Sequence, residues 1–432
     1  MAEKKKRENL KVKSEYIGIF ACCLIVVGLI LFPIHIRYAL LKDSLKILSR
    51  VNVCFLLGML LLLYQKLKTR NFSLVDKVMV LLWSVSALLL CVSNYSIKTG
   101  RTLVALCTLL IPTFIILYRF RTTDYKKFMK WFLIAFDSFV VFLLILSVIE
   151  KQTDSAFLHY MAEALDSKEY RIYIDGMAVD VWRAHTIWGH ALLNAVFFNA
   201  FFIINDLFFV NARIKYPKIL FFIIALAGVL LCSSKTAIVV LLAYLLVSSW
   251  KHKKFLVGSG IVMAVALIAG AFNNLIERFT SLPLTSGRME MIKAYFESGI
   301  YPLKILIGYG TNSVYDTDVV QYKAGFEFSI FMSALDHGVL FAVLVFIGVY
   351  AYASYQMLSR KKIQCWLGYS LIFAQMNTFN GLGLSNQDTF TWLCLFTMLA
   401  INCAVMGHEL PTENKIDTVE QGLEPKLESE HG

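Results

Sequence analysis

Residues 127–149 read KFMKWFLIAFDSFVVFLLILSVI, and from Trp131 to Ile149 a single charged residue, Asp137, interrupts the apolar run. A helix needs about 20 apolar residues to cross the hydrocarbon core of a bilayer, so this stretch reads as a membrane span. Eleven further apolar runs lie at roughly 17–38, 47–64, 75–94, 101–118, 186–209, 217–232, 234–250, 254–273, 327–354, 363–380 and 388–406. Phe32-Pro33-Ile34-His35 offers no small-residue cleavage site, so the first run reads as a retained span and not a signal peptide. Composition agrees: the 432 residues are 58% hydrophobic and only 17% charged, against roughly 25% charged in soluble domains. That excludes a soluble enzyme, a disordered chain and a secreted disulfide scaffold. The fold class expected is an all-α polytopic membrane protein of about twelve transmembrane helices.

The net charge of +12 could suggest nucleic acid. Its distribution argues otherwise, because the basic residues fall in short clusters between apolar runs, which is how topology is encoded. The clusters are Lys4, Lys5, Lys6, Arg7, Lys11 and Lys13; Lys66, Lys68 and Arg70; Arg119, Arg121, Lys126, Lys127 and Lys130; Arg213, Lys215 and Lys218; Lys251, Lys253 and Lys254; and Arg360, Lys361 and Lys362. With twelve spans, all six clusters fall on one side, which makes both termini cytoplasmic. No basic stripe with interleaved aromatics marks a nucleic-acid surface.

The expected organisation is a basic cytoplasmic tail (1–16), a five-helix N-terminal membrane part (17–149), a first outer loop (150–185), central membrane helices (186–273), a second outer loop (274–326), C-terminal membrane helices (327–406) and an acidic disordered cytoplasmic tail (407–432). Both long loops face outside and carry short helices. In the first, Phe157, Tyr160, Met161 and Leu165 form an apolar stripe; in the second, Ser286 caps a predicted helix over 287–298 that places Met289, Ile292 and Phe296 on one face. The cytoplasmic loops are too short for a catalytic domain, so chemistry must sit at the outer face, where there is no ATP. The nine cysteines lie nearly all within apolar runs and form no CxxC, so they read as buried hydrophobes.

The familiar catalytic signatures are missing. Gly308-Tyr309-Gly310 and Gly381-Leu382-Gly383 lie outside any βαβ unit, so they mark turns and not a nucleotide site. His185 and His190 are five apart, a poor spacing for a shared helix face, and no HExxH occurs, so no metal and no cofactor is expected. Ionisable residues at span ends say more, since a charge in the bilayer persists where it pairs, reaches the interface or works. Arg183 and His190 flank the start of the sixth run, Lys235 sits between the seventh and eighth, Arg288 lies in the second outer loop, and Glu327 opens the tenth run with Asp336 further in. Taken one at a time, each fits snorkelling or an internal ion pair. Taken together, Arg183, Lys235 and Arg288 reach one outer surface with Glu327 at the same level. Gathered cations suit a diphosphate, and a carboxylate beside them suits a proton acceptor.

Four segments resemble the O-antigen ligase and Wzy polysaccharide polymerase superfamily. Trp182-Arg183-Ala184-His185-Thr186-Ile187-Trp188-Gly189-His190 resembles the family's arginine followed by a glycine and a histidine entering a span. Ser233-Ser234-Lys235-Thr236-Ala237 resembles its Ser-Arg-small motif, with lysine in place of arginine. Ser286-Gly287-Arg288 followed by Ile307-Gly308-Tyr309-Gly310 resembles its SGR and LGxG loop. Glu327 stands eleven residues before Gly338, where the ligase motif has histidine. The resemblance covers about 180–345.

The resemblance implies a metal-independent glycosyl transfer at the outer face of a bacterial cytoplasmic membrane, with an undecaprenyl-diphosphate-linked oligosaccharide as donor and a second lipid-linked repeat unit as acceptor. It implies catalytic roles for Glu327 as base and for Arg288 and Arg183 on the diphosphate. It implies substrate binding by Lys235, His190 and Tyr309. A flippase and a chain-length regulator of the same pathway are the partners it implies. Glutamate in the histidine position looks more like the divergent polymerases of capsule and exopolysaccharide loci than like a ligase. Two alternatives stay open: an O-antigen-ligase-like transferase that moves glycan to another acceptor, and a flippase or transporter. Against the transporter stand the short segment from Asn211 to Lys218, where a major-facilitator protein has a long central linker, and the lack of an internal repeat.

Overall fold

The computed structural model describes residues 2–41, 49–69, 72–95, 99–156, 159–160, 163, 182–188, 190–281, 288–311, 328–379, 382 and 388–409. Among these the regular structure is all helical. Among the described residues each of the twelve apolar runs overlaps helix, though the runs at 17–38 and 327–354 are broken, after Leu31 and at Gly338. Six helices are long and apolar enough to cross a membrane: Leu74–Ser93, Gly100–Leu117, Thr122–Gln152, Ala191–Ala212, Val339–Leu358 and Thr389–His408. Lys253–Ile268 and Asn273–Ser281 make a seventh if that pair, bent by 78°, is one span. Lys218–Leu231 and Lys235–Ser249 are apolar but shorter, at 14 and 15 residues. Pro217 sets the start of the first, and a turn at Ser233, with φ +47, separates the two.

The core is an aromatic seam. Phe128, Phe132, Phe136 and Phe139 recur at helical spacing along Thr122–Gln152 and are all buried. Phe139 meets Phe197 of Ala191–Ala212 edge-on at 5.5 Å, and Phe197 meets Trp392 of Thr389–Glu409 at 5.0 Å. The Ala191–Ala212 helix is buried along almost its full length. Its polar residues are spent on neighbours: Asn199 donates to Ala237 O and Gln375 Oε1, and Asn205 donates to Asp137 Oδ1 at 2.8 Å. Asp137, the lone charge in the opening stretch, is thus held internally.

The bundle has two chemically different ends. At one, Lys66, Asp76, Arg119, Tyr352 and Arg360 draw together, Lys362 donates to Gly407 O at 2.8 Å, and Lys218 pairs with Asp206 at 2.8 Å. Four of the basic clusters therefore share one end. Thr122–Gln152, ~46 Å long at 1.5 Å per residue, runs from there to the opposite end, where Glu150 lies.

At that second end the backbone of 304–310 straps across a helix break. Gly338, with φ +99, interrupts the run between Ser329–His337 and Val339–Leu358. Tyr309 N and Gly310 N donate to Leu335 O and Asp336 O at 2.9 and 2.7 Å, and Val339 N and Leu340 N donate back to Lys304 O and Ile305 O. A Cβ at Gly308 would lie 2.4 Å from Asp336 O, so glycine is required by contact. Gly308-Tyr309-Gly310 is a backbone crossing. Arg288–Ser298 confirms the helix expected in the second long loop. It packs through Tyr295, whose ring meets Phe331 at 5.5 Å, while Phe296 stays more than half exposed. Ser286 and most of the first loop's stripe (Phe157, Met161 and Leu165) lie outside the described residues.

Candidate functional site

The 182–186 segment is held in place by a buried carboxylate. Glu150, in the last turn of Thr122–Gln152 and 0% exposed, accepts from His185 N at 3.0 Å and Thr186 N at 3.2 Å. Asn194 Nδ2 donates to Ala184 O and His185 O, and Thr186 Oγ1 donates to Asn194 Oδ1. Thr186 takes φ +53, a costly conformation for a β-branched residue, and these bonds hold it there. Burial pushes the His185 imidazole down to about 4, so it is neutral at physiological pH; its Nδ1 meets Arg183 O at 2.9 Å.

The Ser233 turn docks on this segment. Ala184 N donates to Leu231 O at 3.1 Å, and Ser233 Oγ reaches Trp182 O at 3.4 Å. Trp182 is anchored in turn by its indole N–H to Ser155 Oγ. Ser234 caps Lys235–Ser249, accepting from Ala237 N. The cap fixes Lys235 in the first helical turn. Its side chain is 8% exposed and its ammonium lies 5.4 Å from the Phe279 ring centroid. Beside Phe279, Arg278 is buried and donates to Ser233 O at 2.7 Å. The bent Asn273–Ser281 helix thus delivers a cation to the same turn that carries Lys235.

The structure therefore brings the Arg183 and Lys235 segments together and adds Arg278 and Glu150, neither of which stands out in the sequence. Glu150 reads as an ordinary acidic span end, and Arg278 as one charge in an exposed loop. The one available signal for Arg278 was the amphipathic spacing of Leu275, Arg278 and Phe279. His190 lies nearby along the chain, its ring 5.4 Å from Phe379. Phe379 O accepts from Ser329 Oγ, which also receives Leu382 N. That contact places the start of Ser329–His337 beside His190. Tyr309 belongs to a separate cluster: its hydroxyl donates to Pro302 O, its ring lies 3.9 Å from Lys304 Nζ, and it meets Tyr301 edge-on. Arg288 opens its helix, but its side chain lies outside the described residues, as does Glu327 entirely. Asp336 is buried at the strap.

Chemically, the corner combines fixed cations, a neutral imidazole and oriented backbone groups at the end of an apolar bundle. Such an arrangement suits the stabilisation of negative charge on a bound group. No family model, curated protein or solved structure matches the chain.

Proposed function

We propose that the chain is a bacterial membrane glycosyltransferase that polymerises undecaprenyl-diphosphate-linked oligosaccharide repeat units at the outer face of the cytoplasmic membrane. The observation that carries this reading is the convergence of the Arg183 segment, Lys235 and Arg278 on one turn at the bundle end opposite the basic clusters. The positive-inside tendency assigns the cluster-rich end to the cytoplasm and this corner to the outer face. In this reading the shorter apolar helices also span, giving twelve, with both termini inside.

The acceptor hydroxyl attacks the anomeric carbon of the donor sugar, the bond to the diphosphate breaks, and undecaprenyl diphosphate departs. Glu327 takes the hydroxyl proton. Arg183, Lys235 and Arg288 offset charge on the leaving diphosphate, and Arg278 fixes the turn that carries Lys235. His190 and Tyr309 position sugars. Diphosphate is a good leaving group, so holding the two substrates in line supplies much of the remaining rate.

Gel-resolved glycan from cells lacking the gene, and from cells carrying Arg183→Ala, Lys235→Ala or Glu327→Gln at normal membrane levels, tests the proposal. Collapse to a single lipid-linked repeat unit is expected. Full-length polymer that stays lipid-linked would make the chain a ligase. Repeat units held on the cytoplasmic face would make it a flippase.

A further inference from the structure

At the bundle end far from the candidate site lies a cleft of about 500 Å³, lined by Asp76, Arg119, Tyr355, Gln356, Ser359 and Arg360 among others. That is within the size range of small-ligand sites, roughly 300–1,000 Å³. In the sequence Arg119 and Arg360 stand as topology signals only. Residues with that role alone extend into water, yet both are tied into the cleft wall.

Arg119 donates through NH1 to Ile116 O and Tyr118 O, and through NH2 to Tyr352 Oη at 2.8 Å. Tyr352 donates to Asp76 Oδ1 at 2.6 Å, and Lys66 reaches Asp76 Oδ2 at 3.4 Å. Asp76 also closes the capping box of its own helix with Ser73. Asp76, the one carboxylate among the described residues of the wall, is therefore fully engaged. Among the described residues Arg360 bonds within its own turn, through Gln356 Oε1 at 2.9 Å and Gln356 O. Among the described residues no carboxylate pairs with it. Among the described residues the cleft wall thus sets two arginines, Arg119 and Arg360, against one carboxylate that Lys66 already engages, and burial together with the nearby Arg360 pulls Arg119 below the usual arginine pKa. Like charges held this close are stabilised by an anion between them.

We propose that this cleft binds a phosphate-bearing ligand, with Arg360 and Arg119 as its anchors and Ser359 at the rim. The chemistry fits either the phosphodiester headgroup of an anionic lipid or a soluble phosphorylated molecule. It is independent of the glycosyl-transfer reading.

The test is the melting temperature of the purified full chain in neutral detergent, followed by tryptophan fluorescence. The additions are short-chain phosphatidylglycerol, the matching phosphatidylcholine, and inorganic pyrophosphate. A saturating ligand should raise Tm by about 3 °C or more. Arg360→Gln should remove the rise, Arg360→Lys should keep part of it, and Ser359→Glu, which places a carboxylate at the rim, should also remove it. A rise with phosphatidylglycerol alone assigns a lipid headgroup; a rise with pyrophosphate assigns a soluble phosphate ligand. No rise with either, or an equal rise in the wild type, in Arg360→Gln and in Ser359→Glu, overturns the proposal.

Discussion

Replacing Glu150 by glutamine should loosen the 182–186 segment without unfolding the bundle. The carboxylate accepts two backbone N–H groups, at 3.0 and 3.2 Å, with no exposure to solvent. A hydrogen bond to a charged group contributes about 1.5–3 kcal/mol, and a neutral one about 1. Both N–H groups reach Oε2, and Thr186 N is shared with Oε1. A glutamine with its amide oxygen in the Oε2 position therefore keeps both bonds, each now neutral, while its NH₂ replaces the second acceptor of Thr186 N. The net loss is about 1–3 kcal/mol of local opening energy, which is about 5- to 140-fold in opening equilibrium at 1.4 kcal/mol per decade. Hydrogen exchange with mass spectrometry on the detergent-solubilised protein reads this directly. Peptides covering His185 and Thr186 should exchange faster by that factor, while peptides within 195–208 keep wild-type protection. Unchanged exchange at His185 and Thr186 would refute the anchoring role. Equal acceleration in both regions would show that Glu150 supports the whole bundle and not this segment.

Three further outcomes are expected. Gly308→Ala should cost about 2–4 kcal/mol, because its Cβ would meet backbone at 2.4 Å and push the strap off its two hydrogen bonds to Leu335 and Asp336; faster limited proteolysis within 299–311 checks it. Asp388→Asn should cost about 3–5 kcal/mol by stranding buried Arg37, which its carboxylate holds at 2.6 and 3.3 Å. The double variant Arg37→Met, Asp388→Leu should recover much of that loss in a thermal melt. The imidazole of His185 protonates near 6.5 when unfolded and only near 4 when folded, so the unfolded state binds more protons between those values and stability falls as pH drops through that window. From pH 7.5 to pH 5 the loss is about 2 kcal/mol, and it should vanish in His185→Gln when melts are compared across pH.

Hydropathy made the helices legible because the apolar runs stand out from the loops and most are bounded by Lys, Arg or Pro. It also over-counted clear spans, twelve against six or seven, since Ile17–Leu31, Val53–Thr69, Lys218–Leu231, Lys235–Ser249 and Ile363–Asn377 are apolar but short. The site was legible where local sequence sets local geometry, as with Ser234 capping the helix of Lys235. It was not legible where distant chain segments meet. Nothing around Glu150 announces that it will accept the amides of residues 185 and 186, and nothing around Arg278 announces its bond to Ser233. Those pairings exist only where segments far apart in the chain pack together. Gly308 was visible as a turn signal and Gly338 only through its spacing from Glu327, yet what both serve is the crossing of one backbone over another.

The hairpin of Lys218–Leu231 and Lys235–Ser249 has a consequence for the surrounding lipid. Ile219, Leu220, Ile223, Val239, Leu246 and Val247 stand exposed on it. Its apolar reach, from Lys218 paired with Asp206 to the Ser233 turn, is 14 helical residues, or ~21 Å. In the twelve-span arrangement proposed above these two helices cross a hydrocarbon core about 30 Å thick, which leaves a hydrophobic mismatch of roughly 9 Å on this one flank, and lipids there tilt or shorten to match. A chain that spans in this way would carry a thinned patch of membrane beside the corner that holds Lys235 and Arg278.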